Sequence, residues 1–135
     1  MTRRSMKNAH ARSPAIATVN RIEISPHSPG RVYLAVQRYR MDDWKPYIFR
    51  TNDYGESWDL LTDGTNGIPG DHWVRVVRED DVRPGLLYAG TEFGAFVEIL
   101  PGQDGLVHIS DDGGATWRDI TPAGMPEWGT VNAIE

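Results

Sequence analysis

The sequence predicts an all-β protein built from a repeated four-stranded antiparallel unit. Short runs of alternating apolar and polar residues are separated by Gly, Pro, Asn and Asp, a pattern typical of strands and turns. An eight-residue phrase occurs twice, as TNDYGESW at 51–58 and as SDDGGATW at 110–117. Near the end of the chain, TVNAIE at 130–135 restates TVNRIE at 18–23. Together these repeats predict two complete units and the start of a third.

Each unit is predicted to be a meander of four strands. In the first unit the strands are VNRIEIS, RVYLAVQRY, YIFRT and SWDLL, with a polar RMDDWKP loop before the third and the NDYGE turn after it. In the second unit WVRVVRED and LLYAGTE restart the order. Pro84-Gly85 stands before Tyr88 as Pro29-Gly30 stands before Tyr33, so the same turn recurs at the same place.

Repeated four-stranded meanders indicate β-propeller blades. A β-sandwich could use the same strands, but it does not predict one turn phrase at one place in each unit. We therefore expect an irregular leader at 1–17, one blade at 18–67, a second at 68–124, and the first strand of a third at 125–135. Because a propeller closes with about 4–8 blades, this incomplete propeller is expected to be a fragment. Its expected partners are the remaining blades or further copies of itself.

Composition limits the choice of partners and cofactors. The net charge is −5, and four of the basic residues lie in a leader without acids, so the remaining body is expected to repel nucleic acid. No apolar run approaches the roughly 18 residues of a membrane helix, and the leader lacks the apolar stretch of a secretory signal. Zero cysteines exclude disulfides and thiolate metal sites. The histidines show no metal-ligand spacing, so neither metal nor cofactor is expected: His10, His27, His72 and His108.

The repeated phrase is interpreted as a structural turn. Its glycines supply positive φ, its aspartates accept hydrogen bonds from turn amides, its hydroxyls satisfy further backbone groups, and its tryptophans pack. A calcium loop using Asp111 and Asp112 is the rival interpretation, but the ladder of alternating acids that such loops use is absent. The structural positions in the two copies are Thr51, Asp53, Gly55, Ser57, Trp58, Ser110, Asp112, Gly114, Thr116 and Trp117.

The phrase, Ser/Thr-x-Asp-x-Gly-x-Ser/Thr-Trp, resembles the BNR or Asp-box repeat. With SPHSPGRVYLAV, VRVVREDDVRPGLLYAGTE and MPEWGTVNAIE around it, residues 18–135 resemble the sortilin-like, VPS10-type propellers of bacteria. Many of these are labelled glycosyl hydrolases because their blades are similar to those of xyloglucanases and sialidases. The resemblance implies a propeller that works in the periplasm or outside the cell. In place of a short third strand, AFVEILPGQDGLVHIS predicts an inserted hairpin turning at Pro101-Gly102 or Asp104-Gly105.

The resemblance places the candidate site on the propeller face opposite the Asp-containing turns. Carboxylates beside tryptophans are typical of sugar sites. The predicted binding residues are Trp44, Lys45, His72, Trp73, Glu127 and Trp128, and the candidate catalytic carboxylates are Asp42, Asp43 and Glu92. The alternative interpretation is that Trp73 and Trp128 start or flank strands and pack there, while Asp42 and Asp43 are solvated in a loop.

Two functions follow as hypotheses. The first is a noncatalytic binding or scaffold module that holds a protein, a peptide or a glycan. The second is a fragment of a glycoside hydrolase acting on polysaccharide, with catalytic residues partly outside this chain. A sialidase-type site would need an arginine triad and a tyrosine nucleophile, for which the chain offers Arg38, Arg40, Tyr39 and Tyr47. Arginines that alternate along a strand edge are equally well explained as solvated surface.

Overall fold

The computed structural model describes residues 17–93 and 105–123, which form two four-stranded antiparallel sheets. The first sheet has the order β1 (Thr18–Ile24), β2 (Val32–Arg38), β3 (Asp43–Thr51), β4 (Asp59–Leu60). The second has the order β5 (His72–Glu79), β6 (Leu87–Phe93), β7 (Leu106–Ser110), β8 (Arg118–Asp119). A 3-10 turn, Tyr39–Met41, joins β2 to β3. The predicted all-β class with two antiparallel four-stranded sheets is confirmed.

Three sequence predictions concern residues outside the described ranges. The leader at 1–17 is described only at its last residue, and the start of a third unit at 125–135 is not described. Most of the predicted inserted hairpin, residues 95–104, also lies outside the described ranges. Its last residues form β7, Leu106–Ser110. Within the described ranges, no helix is long and apolar enough to cross a membrane.

The connection between β2 and β3 differs from the predicted loop. The 3-10 turn and the first residues of β3 occupy most of RMDDWKP, so β3 begins at Asp43 and not at Tyr47. Pro46 has no amide hydrogen to donate. It fits in β3 because the β2–β3 register is irregular between Val36 and Arg38. Its carbonyl oxygen accepts a hydrogen bond from Thr62 Oγ1 at 2.9 Å.

The main core lies between the two sheets. Its buried side chains come from both sheets, from the connection between them and from the residue before β8: Tyr33, Ala35, Ile48, Leu61, Ile68, Val74, Val77, Leu87, Ala89 and Trp117. Each large side chain removed from water in this way contributes roughly 1.5–3 kcal/mol. A second cluster, built on Val36 and Phe49, lies on the other face of the first sheet.

A seam of polar contacts joins β1 to β5. Glu23 Oε2 accepts hydrogen bonds from Arg78 Nε and from the amide of Glu79, both at 3.1 Å. The register of β1 shifts between Val19 and Arg21, and that of β5 shifts between Val74 and Val76. The residue left over at each shift occupies the same place in its unit, Asn20 in β1 and Arg75 in β5. Asn20 uses its side chain for the seam, because Nδ2 donates to the Val74 carbonyl oxygen at 3.1 Å.

The connection from β4 to β5 carries the chain from one sheet to the next. Asn66 fixes it, because its Nδ2 donates to the carbonyl oxygens of Leu61 at 2.9 Å and Ala115 at 3.1 Å. The Asn66 carbonyl oxygen accepts from the Trp117 amide at 2.8 Å. Gly67 follows at φ +119°, and a Cβ added there would collide with the Trp117 carbonyl oxygen. This position therefore requires glycine both for its backbone conformation and for space.

Gly67→Ala is expected to destabilise the protein by at least about 1–3 kcal/mol, because the substitution combines backbone strain with a clash against main chain. Urea unfolding followed by tryptophan fluorescence measures the effect. Gly70→Ala is the matched control, since its Cβ would meet only Gly64 Cα, at 3.8 Å. A loss for Gly67→Ala no larger than that for Gly70→Ala would contradict the prediction.

Candidate functional site

An aromatic stack lies where the β2–β3 connection of the first sheet meets the start of β5. The stack consists of Trp44, Tyr39 and Trp73. Tyr39 and Trp44 are nearly parallel, with ring centroids 5.8 Å apart and an interplanar angle of 18°. On its other side Tyr39 meets Trp73 at 4.6 Å and 36°. Trp73 is 6% exposed, whereas the other two rings are half-buried, so the stack rises from the core to the surface.

Two arginines lie over rings of the stack. The Arg75 guanidinium is 5.0 Å from the Trp73 centroid, and the Arg40 guanidinium is 5.9 Å from that of Tyr39. Both distances are within the range of cation–π attraction. Arg75 Nε also donates to Glu92 Oε2 on β6. Arg75, at the register shift of β5, therefore connects the stack to the neighbouring strand.

Two neighbouring carboxylates lie beside the stack, and one of them, Asp42, contacts its outer ring. Asp42 Oδ1 accepts a hydrogen bond from Trp44 Nε1 at 3.1 Å, which fixes the indole ring. Asp43 Oδ2 accepts from the Tyr47 hydroxyl at 2.6 Å and from Arg38 at 3.1 Å. Burial opposes ionisation of Asp43, but the hydrogen bonds from Tyr47 and from the Lys45 amide outweigh it and lower the pKa of Asp43. Asp43 is thus an ionised acceptor near neutral pH.

The open face of the second sheet, which points away from the first sheet, forms a second surface. Residues opposite one another in register share a face. Leu87 and Ala89 pack in the core, so Tyr88 and its partners in register lie on the open face. One row across the four strands is Arg78, Tyr88, Ile109 and Arg118. Tyr88 and Ile109 are half-buried and Arg118 is exposed.

Gly90 lies on the same face of the second sheet, where it is buried. In register it lies between Val76 and Val107, in the row next to Tyr88 and Ile109. Val76 is buried as well, so the row of Gly90 is covered. Tyr88 and Ile109, with the exposed Arg118 at one edge, are the part of this face suited to a planar ligand that carries negative charge.

His72 and His108 lie beneath the surface. His108 is 1% exposed, its Nε2 is 3.1 Å from Thr91 Oγ1, and the two imidazoles meet edge to face at 6.4 Å. Burial lowers the pKa of His108 to about 4, so its ring is neutral at pH 7. His72 Nδ1 is 2.8 Å from Asp71 Oδ1. Among the described residues no group of three or more His, Asp or Glu side chains could hold a metal ion.

The repeated phrase forms two matching turns. In the first, Asp53 Oδ1 accepts from the Ser57 amide at 2.9 Å and Oδ2 accepts from the Ser57 hydroxyl at 2.7 Å. In the second, Asp112 makes the same pair of contacts with Thr116, at 2.9 and 2.5 Å. Thr51 and Ser110 each donate to the aspartate and accept from a glycine amide. All these bonds lie within the turns.

The structure places the sequence-predicted site residues in different surroundings. Trp44 and Trp73 come together through Tyr39, and Glu92 joins them through Arg75. His72 is buried, and Lys45 is exposed beside Asp43. Glu127 and Trp128 lie outside the described ranges. Tyr39, considered in the sequence only as a nucleophile, is the central ring of the stack. The roles assigned to Asp42, Asp43 and Glu92 in catalysis remain predictions.

Comparison with known proteins identifies one segment of the chain. The family model of the S1 RNA binding domain matches residues 76–111. Polyribonucleotide nucleotidyltransferase of Trichlorobacter lovleyi is 65% identical over 37 residues, which cover 24% of this chain and 5% of that protein. The enzyme of the same name from Ruminiclostridium cellulolyticum is 66% identical over 35 residues, covering 22% and 5%. The chain thus spans about one twentieth of the length of these curated relatives.

One solved structure, described as YCF48 bound to D1 peptide, aligns with 80% of this chain and 29% of its own. The sequence identity is 15% and the TM-score is 0.47, which are too low for this likeness to indicate a function.

These matches overturn the family predicted from the sequence. The resemblance to sortilin-like Asp-box propellers is wrong, and so are the glycan scaffold and the glycosidase inferred from it, because the matching family and relatives are of the S1 type. The predicted partners are wrong on the same ground, above all in excluding nucleic acid. The sequence signal for the S1 match includes AFVEILPGQDGLVHIS, at 95–110. This segment is predicted from the sequence to be an inserted hairpin, but it falls within the matched residues.

The aspartates of the two turns predict a pH dependence of stability. The hydrogen bonds from Ser57 and Thr116 lower the pKa values of Asp53 and Asp112 from 3.8 to about 2. A lowered folded-state pKa adds stability above the unfolded pKa, and this stability is lost as the pH falls from about 4 to about 2.

The double variant Asp53→Asn/Asp112→Asn is therefore expected to lose less stability than the wild type over that interval. Urea midpoints measured at several pH values test this expectation. Asp111→Asn, in the same turn as Asp112 but with a carboxylate half-exposed and 4.0 Å from Arg118, is the control. An unchanged pH profile in the double variant would contradict the assignment.

Proposed function

We propose that this chain binds single-stranded RNA through the open face of its second sheet. The observation that carries the proposal is the S1 RNA binding domain match over residues 76–111, which takes in the second half of β5 and all of β6 and β7. The match covers a minor part of the chain, so the proposal concerns the second sheet. It includes no nucleotidyl transfer, since the segment shared with the relatives is 5% of their length.

The strand arrangement supports this placement. S1 domains are OB-type barrels, and OB-folds bind oligonucleotides on the face of their second and third strands. The matched segment is a three-stranded antiparallel meander, in which β6 and β7 are the second and third strands. Their open face carries Tyr88 and Ile109, which are both half-buried. Bases of a single strand stack on aromatic and apolar side chains of this kind, whatever their sequence.

The charges on the open face support RNA more than the net charge suggests. Arg78 and Arg118 lie at the two ends of the row that contains Tyr88. A strand laid across that row would meet the exposed Arg118 guanidinium at the β8 edge, whereas Arg78 Nε is bonded to Glu23 of the first sheet. The net charge of −5 belongs to the whole chain, whereas contact with a short RNA is local. We therefore expect binding of modest affinity with a shallow salt dependence.

Tyr88→Ala is expected to weaken binding of a fluorescein-labelled 12-nucleotide RNA about 5- to 150-fold, because stacking contributes roughly 1–3 kcal/mol per base. Fluorescence anisotropy at 50 mM salt measures the affinity. Tyr54→Ala is the matched control, since Tyr54 is 79% exposed in the turn between β3 and β4. Equal affinity of Tyr88→Ala and wild type would remove the open face from the proposal.

Arg118→Gln is expected to reduce the slope of log K against log salt by about 0.7, the contribution of one phosphate contact on a single strand. The same titration, repeated between 50 and 300 mM salt, gives the slope. Arg31→Gln serves as the control, because Arg31 lies on the first sheet and donates to Asn52 Oδ1 at 2.7 Å. A slope that Arg118→Gln leaves unchanged would show that Arg118 meets no phosphate.

A further inference from the structure

We infer that the open face of the second sheet is a docking surface for residues 130–135 of the same chain. Docking would cover the surface proposed for RNA, so the inference also concerns the regulation of that site and in this respect rests on the proposed function. It is carried by a buried row on the open face, by the layout of that face, and by a repeat in the sequence.

The middle row of the open face is covered although it points away from the main core. Val76 is 2% exposed, and its register partner Gly90 is buried. The next pair in register, Val77 and Ala89, belongs to the main core on the opposite face. The strands of the first sheet contact the second sheet on that opposite face, through β5. The cover over Val76 and Gly90 therefore comes from elsewhere in the chain.

The open face has the same layout as the face of the first sheet on which β5 packs. On the first sheet, three side chains of the main core accept β5: Tyr33, Ala35 and Ile48. The corresponding places of the second sheet carry Tyr88, Gly90 and Val107. Gly90 and Val107 are register partners, just as Ala35 and Ile48 are. The open face is therefore arranged to receive a strand like β5.

The sequence that leads into β5 recurs 57 positions later. GIP at 67–69 is restated as GMP at 124–126. The two valines that β5 contributes to the main core recur at the same spacing, Val74 as Val131 and Val77 as Ile134. The residues that would face the open face are thus of the type that β5 uses against the first sheet.

The connection is long enough to bring this segment onto the second sheet. Eleven residues, 61–71, separate β4 from β5, and ten residues, 120–129, separate β8 from 130–135. A connection of nearly the same length can therefore repeat the step that carries β5 onto the first sheet. Because the segment is tethered to its surface, docking is intramolecular and is favoured by a high effective concentration.

Docking of 130–135 would regulate RNA binding. A strand with Val131 and Ile134 over Gly90 lies beside Tyr88, the ring on which a base is proposed to stack. RNA must then displace the segment. The apparent affinity for RNA is therefore the affinity of the uncovered face reduced by the fraction of molecules in which the segment is undocked.

The first test follows the cover without RNA. The chain has no cysteine, so the single thiol of Val107→Cys reports on the open face. In this background Val131→Ser/Ile134→Ser should speed maleimide labelling at least about 10-fold, which corresponds to a segment docked in about nine of ten molecules or more. Ala133→Ser is the matched control, since alternation places Ala133 on the side of the segment away from the sheet.

A second control locates the effect. Ile24→Cys introduces a thiol on the first sheet, where Ile24 is 73% exposed, and the serine substitutions should leave its labelling rate unchanged. Circular dichroism establishes that each variant is folded.

The second test measures RNA binding of the serine variant without an introduced cysteine. Val131→Ser/Ile134→Ser should bind the fluorescein-labelled 12-nucleotide RNA at least about 10-fold more tightly than wild type, because the segment no longer competes. Fluorescence anisotropy at 50 mM salt measures the affinity. Serine adds no charge, so a gain in affinity cannot come from attraction to phosphate.

The outcomes separate the inference from the proposed function. If the serine substitutions leave the labelling of Val107→Cys unchanged, the inference is overturned, while Tyr88→Ala still tests the proposed function. If labelling becomes faster but RNA affinity does not rise, the docking stands and the proposed function fails at the open face. A labelling rate of Val107→Cys that falls as the protein concentration rises would assign the cover to a second copy of the chain and overturn the inference.

Discussion

The packing of the first sheet against the second is the constraint on which the other features depend. A four-stranded meander has two faces, and one of them must be removed from water for the sheet to persist. Here Tyr33, Ala35 and Ile48 pack against Val74, Val77 and Leu87, and the 61–68 connection closes the side of this core. The polar seam of Glu23 and Asn20 fixes one sheet relative to the other. Only with this relative position fixed can Tyr39 of one sheet meet Trp73 of the other.

The strands were predictable because their signals are local. Alternation of apolar residues located β1, β2, β5 and β6 to within a few residues, and the repeated phrase marked both turns between the third and fourth strands of their sheets. The start of β3 was not predictable. Asp43 and Pro46 are turn-favouring residues, but β3 runs through both of them, with Asp43 paired to Arg38 and the Pro46 carbonyl oxygen bonded to Thr62.

The candidate site was only partly predictable, because its contacts join residues that are distant from one another in the sequence. The sequence brought Trp44, Trp73, Asp42 and Glu92 to attention as residues that could share a surface, but it gave no sign that Tyr39 and Arg75 connect them. Tyr39 meets a residue of the other sheet, and Arg75 joins two strands of its own sheet, and no periodicity encodes such contacts. The predicted family is wrong because the prediction depended on the repeated Asp-containing phrase and not on residues 95–110, which fall within the S1 match. The prediction that nucleic acid is excluded is wrong, because it depended on the total charge of the body of the chain, and that total does not describe the charge of one face.

The register shifts in β1 and β5 place side chains with different contacts at corresponding positions of the two units. The same irregularity occurs at the same place in both units, so the backbone displays one extra side chain there in each. Asn20 turns that side chain inward to the neighbouring sheet, whereas Arg75 reaches across Trp73 to Glu92. The same backbone irregularity thus carries a side chain that bonds to the neighbouring sheet in one unit and a side chain that lies over an aromatic ring in the other. The side chain at such a position can therefore differ between the two units while the backbone hydrogen bonds on either side of it stay the same.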